Sequence, residues 1–307
     1  MTGGTALPPA GGTGAGGLLV VGEVVTDVVA RHTAPLSPGT DTAARIRILP
    51  GGAGANVACW AAHRGCGDVR LLAGVGRGDE RWHAEGLRSA GVRPLLVPDA
   101  VAPTATVIAL VDPSAERTFL TDSGAVHRLG PDDWSPGLLD GVGHLHLSGY
   151  LFFTPTGAQA ARRALRAARE RGVPVSVDPA SAGFITGYGV PRMLAAFRGA
   201  DVLLPNADEA RLLGGRADPA EAAAELSRLF PLTAVTLGRR GAVVAERGAV
   251  TARVDAPAAR ALDTTGAGDA FTGAFLAARL RGADARTAAV EGCSAGARAV
   301  TLVGGRP

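Results

Sequence analysis

Two glycines and two carboxylates are grouped within seven residues, at a point where a helix is predicted to begin. Residues 263–269 read Asp-Thr-Thr-Gly-Ala-Gly-Asp, and residues 270–281 continue with apolar side chains at helical spacing. Gly266 and Gly268 let the backbone turn tightly, so that several N–H groups converge at the positive end of the helix dipole and attract an anion. A carboxylate at Asp269 would repel a bound phosphate unless it accepts the proton of an attacking hydroxyl group. We therefore predict that Asp269 is a general base beside an anion hole; the alternative is an acidic residue that only complements the helix dipole.

A second glycine-rich segment, Gly51-Gly-Ala-Gly-Ala-Asn56, precedes the helical run 57–64. The backbone there can approach a ligand closely, and the amide of Asn56 can both donate to and accept from a polyol. Asp27, just beyond the first apolar run, suits a pair of vicinal hydroxyl groups. Each of these residues could instead be an ordinary turn or capping residue.

Asn206 and Glu209 follow another apolar run and lie three residues apart, on one side of a predicted first helical turn. Oxygen ligands in this arrangement suit Mg²⁺, with water completing its coordination. A helix N-cap with a glutamate at the third helical position is the alternative for the same two residues.

A third glycine-containing segment, Thr236-Leu-Gly-Arg-Arg-Gly241, lies at the end of a predicted strand and is followed by the apolar run 242–245. It could wrap a nucleotide or form only a hairpin turn.

His144 and His146 lie on the same side of a strand. No third ligand is visible near them, so we predict core histidines in preference to a metal site.

Short apolar runs alternate with segments of helical period such as 159–171 and 219–230, which predicts a doubly wound, mainly parallel sheet in an α/β fold. The runs are 18–22, 69–73, 144–147, 173–178, 202–205 and 234–238.

Two segments, 31–49 and 102–122, break this alternation and resemble antiparallel strands that project from the main sheet. We interpret them as a lid that closes over a ligand, with an ordinary surface hairpin as the alternative. The exposed edge of such a lid could be covered by a second copy of the chain, as a homodimer.

The composition excludes several classes of protein. The chain has 307 residues, 47% of them hydrophobic, and a formal net charge of +3, which predicts a globular protein with a sizeable core and not a disordered chain. All 31 basic residues are arginine, because the sequence contains no lysine. A P-loop, a Schiff-base enzyme and a protein kinase each depend on a lysine, so all three are excluded in their usual form.

The remaining composition predicts a cytoplasmic protein with one domain over residues 18–307. The densest group of arginines, within residues 162–171, has helical spacing and indicates a solvated helix face, so no nucleic-acid partner is predicted. The three cysteines are odd in number and lack CxxC spacing, which predicts reduced thiols. Residues 1–17 are predicted to be a flexible tail, and the apolar run after them breaks at Gly22 and Glu23. We therefore predict neither a signal peptide nor a membrane partner.

Taken together and in this order, the four motifs resemble those of the ribokinase-like (PfkB) carbohydrate kinase family. The resemblance covers about residues 18–304, and its last motif, 263–269, is highly specific. It implies a three-layer αβα sandwich whose mainly parallel sheet carries a small β-strand lid, which agrees with the architecture predicted from the apolar runs.

The resemblance also implies roles for individual positions. Catalysis is implied for Asp269 as the base, with the N–H groups of Gly266, Ala267 and Gly268 as the anion hole. Substrate binding is implied for Asp27, Gly51, Gly52 and Asn56. Nucleotide or phosphate binding is implied for Asn206, Thr236, Gly238, Gly241 and Gly268. Metal binding is implied for Glu209 with Mg²⁺, and for Asp263, Thr265, Ala299, Leu302 and Gly304 with a monovalent cation such as K⁺.

The expected activity is phosphorylation of the primary hydroxyl of a small sugar or sugar acid by ATP and Mg²⁺, as in ribokinases, fructokinases and 2-keto-3-deoxygluconate kinases. The alternatives are a nucleoside kinase, for adenosine or pseudouridine, and a catalytically silent sugar-binding protein on the same fold. The chain departs from ribokinases at residues 146–150, His-Leu-Ser-Gly-Tyr, where ribokinases carry an acidic substrate ligand. It also has Ala53 where a lysine is often present. These departures leave the sugar unassigned.

Overall fold

Buried strands and helices alternate along the chain in the computed structural model, which describes residues 16–113 and 117–307. The predicted tail, residues 1–17, lies outside the described residues except for its last two positions. The strands are β1 (Gly17–Val21), β2 (Val25–His32), β3 (Ala44–Gly51), β4 (Val69–Gly76), β5 (Val92–Asp99), β6 (Thr106–Val111), β7 (Arg117–Asp122), β8 (Val142–Ser148), β9 (Val175–Asp178), β10 (Val202–Leu203), β11 (Leu232–Thr236), β12 (Ala242–Glu246) and β13 (Ala249–Val254). The helices are α1 (Ala53–His63), α2 (Glu80–Ser89), α3 (Pro155–Glu170), α4 (Ala182–Tyr188), α5 (Val190–Phe197), α6 (Ala207–Gly214), α7 (Pro219–Leu226), α8 (Ala267–Leu280) and α9 (Ala285–Ala299).

The main sheet of the described chain has nine strands in the order β13-β12-β11-β10-β9-β8-β1-β4-β5. Neighbouring strands are parallel from β11 through β5, and β12 and β13 add an antiparallel edge. Every apolar run predicted as a strand contributes to this sheet, so the predicted fold class is confirmed.

Helices cover both faces of the main sheet, because side chains alternate across each strand. Leu19 and Val21 of β1 belong to the core on the side of α3, while Leu18 and Val20 belong to the core on the side of α1 and α8. All four side chains are essentially fully buried. The helices packed over these two cores make the outer layers of an αβα sandwich.

Helices α1 and α8 pack directly against each other along one face of the sheet. Gly273 of α8 allows this approach, because a Cβ at this position would lie 2.9 Å from the backbone nitrogen of Ala61 and press on the carbonyl of Val57. The N-termini of both helices point to the edge where the parallel strands end. This is also where strand order reverses, between β1 and β8, which is the usual place for a ligand crevice in such sheets.

A small sheet of the described residues has the order β3-β2-β6-β7. Strands β2 and β6 are parallel, and the two outer pairs are antiparallel. The sequence analysis placed strands within 31–49 and 102–122, and the structure adds β2, which begins at Val25 and joins the two hairpin-like segments. This pairing spans about 80 residues of sequence, so no local pattern could predict it.

The two faces of the small sheet differ. Asp27 shares one face with Val107, which packs against Val126 of the main body. Ile46, Ile48 and Leu120 share the opposite face and are 62%, 62% and 54% exposed. The face that carries Asp27 is therefore the one directed at the main sheet. Within residues 16–113 and 117–307, no helix is both long enough and apolar enough to cross a membrane.

Candidate active site

A cavity of about 260 Å³ opens where the parallel strands end. Its wall is built from the first residues of α1 and α8, and from residues at or just after the ends of β8, β9, β10 and β11. Five of its lining residues were predicted from sequence as functional: Asn206, Glu209, Thr236, Gly268 and Asp269.

The predicted anion hole is the N-terminus of α8. Gly266 caps the helix with a φ of 73°, and a Cβ there would come within 2.5 Å of the Gly305 Cα, so only glycine suits this position. At Gly268 a Cβ would meet no atom within 4 Å, because this residue faces the cavity. The first N–H groups of a helix have no partner within it, so this turn presents donors to a ligand.

Asp269 lies in the first turn of α8, where its Oδ2 accepts a 2.8 Å hydrogen bond from the Asn56 side-chain amide. The pKa of Asp269 is raised to about 8: burial is the largest cause, the Asn56 hydrogen bond opposes it, and the charges of Asp178, Glu23 and Asp27 add to it. A carboxylate with a pKa near neutrality is suited to accept a proton at physiological pH. The two glycine-rich motifs, 213 residues apart, thus meet at this pair.

Two further carboxylates near Asp269 were missed by the sequence analysis. Glu23 follows β1, is 3% exposed, and accepts a 3.1 Å hydrogen bond from the Gly54 N–H. Burial raises its pKa to about 7. Asp178 ends β9, lines the cavity and accepts a 2.8 Å hydrogen bond from the Ala180 N–H. Both are acids at the carboxyl end of a buried strand, and this position is the signal that could have identified them.

Asn206 and Glu209 form a reciprocal capping box at the start of α6. The Asn206 Oδ1 accepts from the N–H groups of Asp208 and Glu209, at 2.9 and 3.0 Å, and the Glu209 Oε2 accepts from the Asn206 N–H at 2.8 Å. The Asn206 amide also donates to the Glu209 Oε1 at 2.7 Å. The structural alternative is therefore present, and the same two residues still line the cavity.

The donor set beside this capping box suits a divalent cation. Burial and the nearby charge of Asp178 raise the pKa of Glu209 above its usual range, so the two carboxylates lie close enough to repel each other. No cluster of three or more acidic, histidine or cysteine ligands exists in the described part of the chain. Mg²⁺ is commonly held by one or two carboxylates together with substrate phosphates, and this site has that character.

The segment from Thr236 to Gly241 forms a tight turn between β11 and the antiparallel β12. Gly238 and Gly241 both have positive φ, and the Leu237 N–H donates to the Gly241 carbonyl at 2.7 Å. Thr236 lines the cavity, whereas Gly238 and Gly241 do not. The hairpin alternative is present here, and it places Thr236 beside Asn206 through a parallel bridge.

Asp27, Gly51 and Gly52 lie together at the base of the small sheet. The Asp27 carboxylate packs on Gly51 so closely that its Oδ1 would lie 2.9 Å from a Cβ at that position, and Gly52 caps α1 with a φ of 99°. Burial raises the pKa of Asp27 to about 6. The three residues stand at the rim of the cavity and do not line it.

The residues assigned to a monovalent cation also meet in one place. The Asp263 carboxylate accepts from the N–H groups of Thr265 at 2.9 Å and Gly304 at 3.1 Å. The Ala299 carbonyl accepts from the Leu302 N–H at 2.9 Å. These contacts tie the loop before α8 to the segment after α9, and binding of a monovalent cation there stays a prediction.

The two strand histidines are buried beside this cavity. Nitrogens of His144 and His146 each lie 2.9 Å from the hydroxyl of Ser176, and burial lowers the pKa of both rings to about 3. His146 and Tyr150 line the cavity, and Tyr150 contacts Phe153 and Phe184 edge to face. Tyr150 lies in the segment, residues 146–150, where the sequence was noted to depart from the acidic substrate ligand of ribokinases.

Comparison with known proteins agrees with this geometry. The pfkB family of carbohydrate kinases matches residues 16–307. The chain is 33% identical over 288 residues to the bifunctional protein HldE of Pseudomonas putida (strain W619), covering 87% of this chain and 56% of that protein. It is 30% identical over 274 residues to the fructokinase of Klebsiella pneumoniae, covering 85% and 84%. The chain thus spans little more than half the length of HldE.

Solved structures share the fold. Ribokinase of Arabidopsis thaliana, complexed with ribose and ATP, has a TM-score of 0.80 and 23% identity over 94% of each chain. Adenosine kinase of Sinorhizobium meliloti has a TM-score of 0.84 and 24% identity, covering 95% of this chain and 96% of that one. With a family match along almost its whole length, the chain belongs to the pfkB family of carbohydrate kinases.

Proposed function

We propose that the protein transfers the γ-phosphoryl group of ATP to the primary hydroxyl of a small sugar or sugar acid. The observation that carries the proposal is the Asn56–Asp269 hydrogen bond, which holds a carboxylate with a raised pKa beside the glycine-rich N-terminus of α8. A base and an anion-binding turn thus share one cavity. The relatives named fructokinase and ribokinase support this class of substrate.

In the proposed reaction, the hydroxymethyl oxygen of the sugar loses its proton to Asp269 and attacks the γ-phosphorus of ATP. The new P–O bond forms as the bond to the bridging oxygen of ADP breaks, and ADP leaves. N–H groups at Gly266, Ala267 and Gly268, aligned with the α8 dipole, stabilise the charge on the transferred phosphoryl group. Asn56 orients the carboxylate of Asp269.

Asn206 and Glu209, with the neighbouring Asp178, would hold Mg²⁺, which neutralises the charge of the ATP phosphates. Thr236, Gly238 and Gly241 would line the nucleotide side. Asp27, Gly51 and Gly52 would bind the sugar hydroxyls. Asp263 and Thr265, with the carbonyls of Ala299, Leu302 and Gly304, would hold K⁺, which would order the loop that leads into α8.

A nucleoside kinase is the second candidate, because an aromatic side chain lines the cavity. Tyr150 is braced by Phe153 and Phe184, with ring centroids 6.2 and 5.8 Å away, and an aromatic ring can stack on a nucleobase. The fold likeness to an adenosine kinase is compatible with this substrate. A nucleoside offers the same hydroxymethyl group to Asp269.

The test is ADP release from Mg²⁺-ATP with K⁺ present, over ribose, fructose, 2-keto-3-deoxygluconate, adenosine and pseudouridine. We expect one strong responder, and we expect Asp269→Asn to lower its kcat by about 10³-fold, because the base and its charge are both lost. Asp132→Asn is the matched control, since the Asp132 side chain is fully exposed. Near-normal turnover by a folded Asp269→Asn variant would remove Asp269 from the reaction. Saturable sugar binding without ADP release would favour the silent binding protein.

We also infer that two copies of the chain pair through the small sheet. Its outer face carries the exposed side chains Ile46, Ile48 and Leu120, and β3 and β7 are its two edges. Sedimentation velocity should give a dimer, and the Ile46→Glu, Ile48→Glu double variant should give a monomer. A wild-type protein that sediments only as a monomer would refute the pairing.

Free thiols at Cys59, Cys66 and Cys293 support a cytoplasmic location.

A further inference from the structure

The segment after α9 crosses behind the proposed sugar site and contacts three parts of it. The Gly304 N–H donates to the Asp263 carboxylate at 3.1 Å. The Gly305 carbonyl accepts a buried 2.9 Å hydrogen bond from the indole N–H of Trp60 in α1. The Arg306 Nη2 donates to the Gly51 carbonyl at 2.9 Å. Three consecutive residues thus join the loop before α8, the body of α1 and the end of β3.

Gly305 fixes the separation between the catalytic pair and the anion hole. A Cβ at Gly305 would press on the Asn56 amide and lie 2.8 Å from its Cγ, while a Cβ at Gly266 would come within 2.5 Å of the Gly305 Cα. The backbone of Gly305 is therefore wedged between the residue that orients Asp269 and the residue that opens α8. Any shift of this segment changes that spacing.

Arg306 acts on the other side of the sugar site. Its guanidinium is buried, and its Nε and Nη1 atoms have no hydrogen-bond partner in the described part of the chain. Its positive charge lowers the pKa of Asp27 against the effect of burial, so the two groups lie close together. The Asp27 carboxylate rests on Gly51, whose carbonyl Arg306 binds. A buried cation with two unused donors is costly, and the Asp27 charge offsets that cost.

We propose that Arg306 is a positioning residue for the sugar: it holds the Gly51–Gly52 turn and the Asp27 carboxylate in place relative to the Asn56–Asp269 pair. The inference rests on the proposed function, because the sugar-binding role of Asp27 and the two glycines is part of it. Arg306 does not line the cavity, so it acts through these residues and not on the substrate.

Steady-state kinetics of Arg306→Gln, with the sugar that responds in the panel, test this role. We expect the KM for the sugar to rise about tenfold or more, with kcat and the KM for ATP within about twofold of the wild type. Arg306→Lys should recover part of the loss, since it keeps the charge but not the planar guanidinium. Arg298→Gln, an exposed arginine at the end of α9, is the matched control and should change neither constant.

A second measurement separates this inference from the proposed function. Amide hydrogen exchange of the substrate-free protein should be faster at residues 51–52 in Arg306→Gln and unchanged at the β11–β12 turn. An unchanged KM for the sugar, or unchanged exchange at residues 51–52, would overturn the role of Arg306. If kcat fell, both KM values rose and thermal stability dropped together, Arg306 would have only a structural role. That result would also overturn the proposed positioning role. If no sugar or nucleoside is phosphorylated by the wild type, the proposed function fails, and the exchange measurement alone decides on Arg306.

Discussion

At the residue scale, the pKa of Asp269 is set by opposing neighbours. Burial and three nearby carboxylates raise it, and the Asn56 amide lowers it by hydrogen bonding to the ionised form. The ionised form is the one that accepts a proton. The pH dependence of the proposed reaction should therefore respond to the loss of any of these neighbours, the Asn56 hydrogen bond among them.

Asn56→Ala should move the acid limb of the kcat/KM profile to higher pH. Without the amide donor the pKa of Asp269 rises above its value of about 8, so a smaller fraction of the enzyme carries the base at neutral pH. The loss of activity should accordingly be larger at pH 7 than at pH 9. An acid limb that stays in place would show that Asp269 titrates independently of Asn56.

The local sequence was sufficient to predict candidate site residues that lie together within one turn of a helix. The spacing of Gly266, Gly268 and Asp269 predicted a helix start, which the structure places at α8, and Asn206 with Glu209 forms the capping box that was the alternative. Glu23 and Asp178 could not be predicted in this way. They come together only because β1, β8 and β9 are neighbours in the sheet. The order of strands in a sheet cannot be predicted from the local pattern of apolar residues.

At the element scale, the start of α8 contains two glycines that are required for different reasons. Gly266 has a positive φ and no room for a side chain, whereas Gly268 has ordinary helical surroundings and faces the cavity. The fold requires glycine at position 266, whereas at position 268 we expect the requirement to come from the ligand. The two alanine substitutions should separate these requirements.

Gly266→Ala should lower the free energy of unfolding by about 2 kcal/mol or more, because it adds left-handed strain and a clash with Gly305. Gly268→Ala should leave stability equal or higher, since alanine favours a helix, and should still lower kcat/KM because its methyl group intrudes on the anion site. Urea unfolding and kinetics of both variants check the pair. Equal stability of the two variants would contradict the assigned geometry.

The small sheet shows what a sequence can and cannot predict about an element. Its two segments, 31–49 and 102–122, could be predicted because they break the alternation of apolar runs and helical segments. The inclusion of Val25–His32 was not, because β2 gains its place by pairing in parallel with β6, far along the chain. Closure of this sheet over a ligand stays a prediction.

At the scale of the whole molecule, the proposed site brings together buried acids whose ionisation opposes folding. Burial raises the pKa of Glu23, Asp27 and Asp269 to about 7, 6 and 8 in the folded chain, whereas they ionise near pH 4 when unfolded. These three acids therefore hold more protons in the folded than in the unfolded state between about pH 4 and 8, and their contribution to stability is lost as the pH rises through that window. His144 and His146, whose pKa burial lowers, act in the opposite sense only below about pH 6.5.

The substrate-free protein should accordingly have a Tm several degrees higher at pH 5.5 than at pH 8.5. Asp269→Asn should flatten this slope, because one of the protons that the folded state holds is removed from the balance. Differential scanning calorimetry across that range measures both. A Tm that rises with pH would mean that the cavity carboxylates are ionised in the folded protein.

The close contact of α1 with α8 through Gly273 packs these two helices into one unit. One carries Asn56 and the other carries Asp269, so the geometry of this pair is fixed by a packed interface and not by a loop. The small sheet meets the start of α1 where β3 ends in the Gly51–Gly52 turn, beside Asp27. We therefore expect that exchanging strands of the small sheet would alter the preference for the substrate and leave the Asn56–Asp269 pair unchanged.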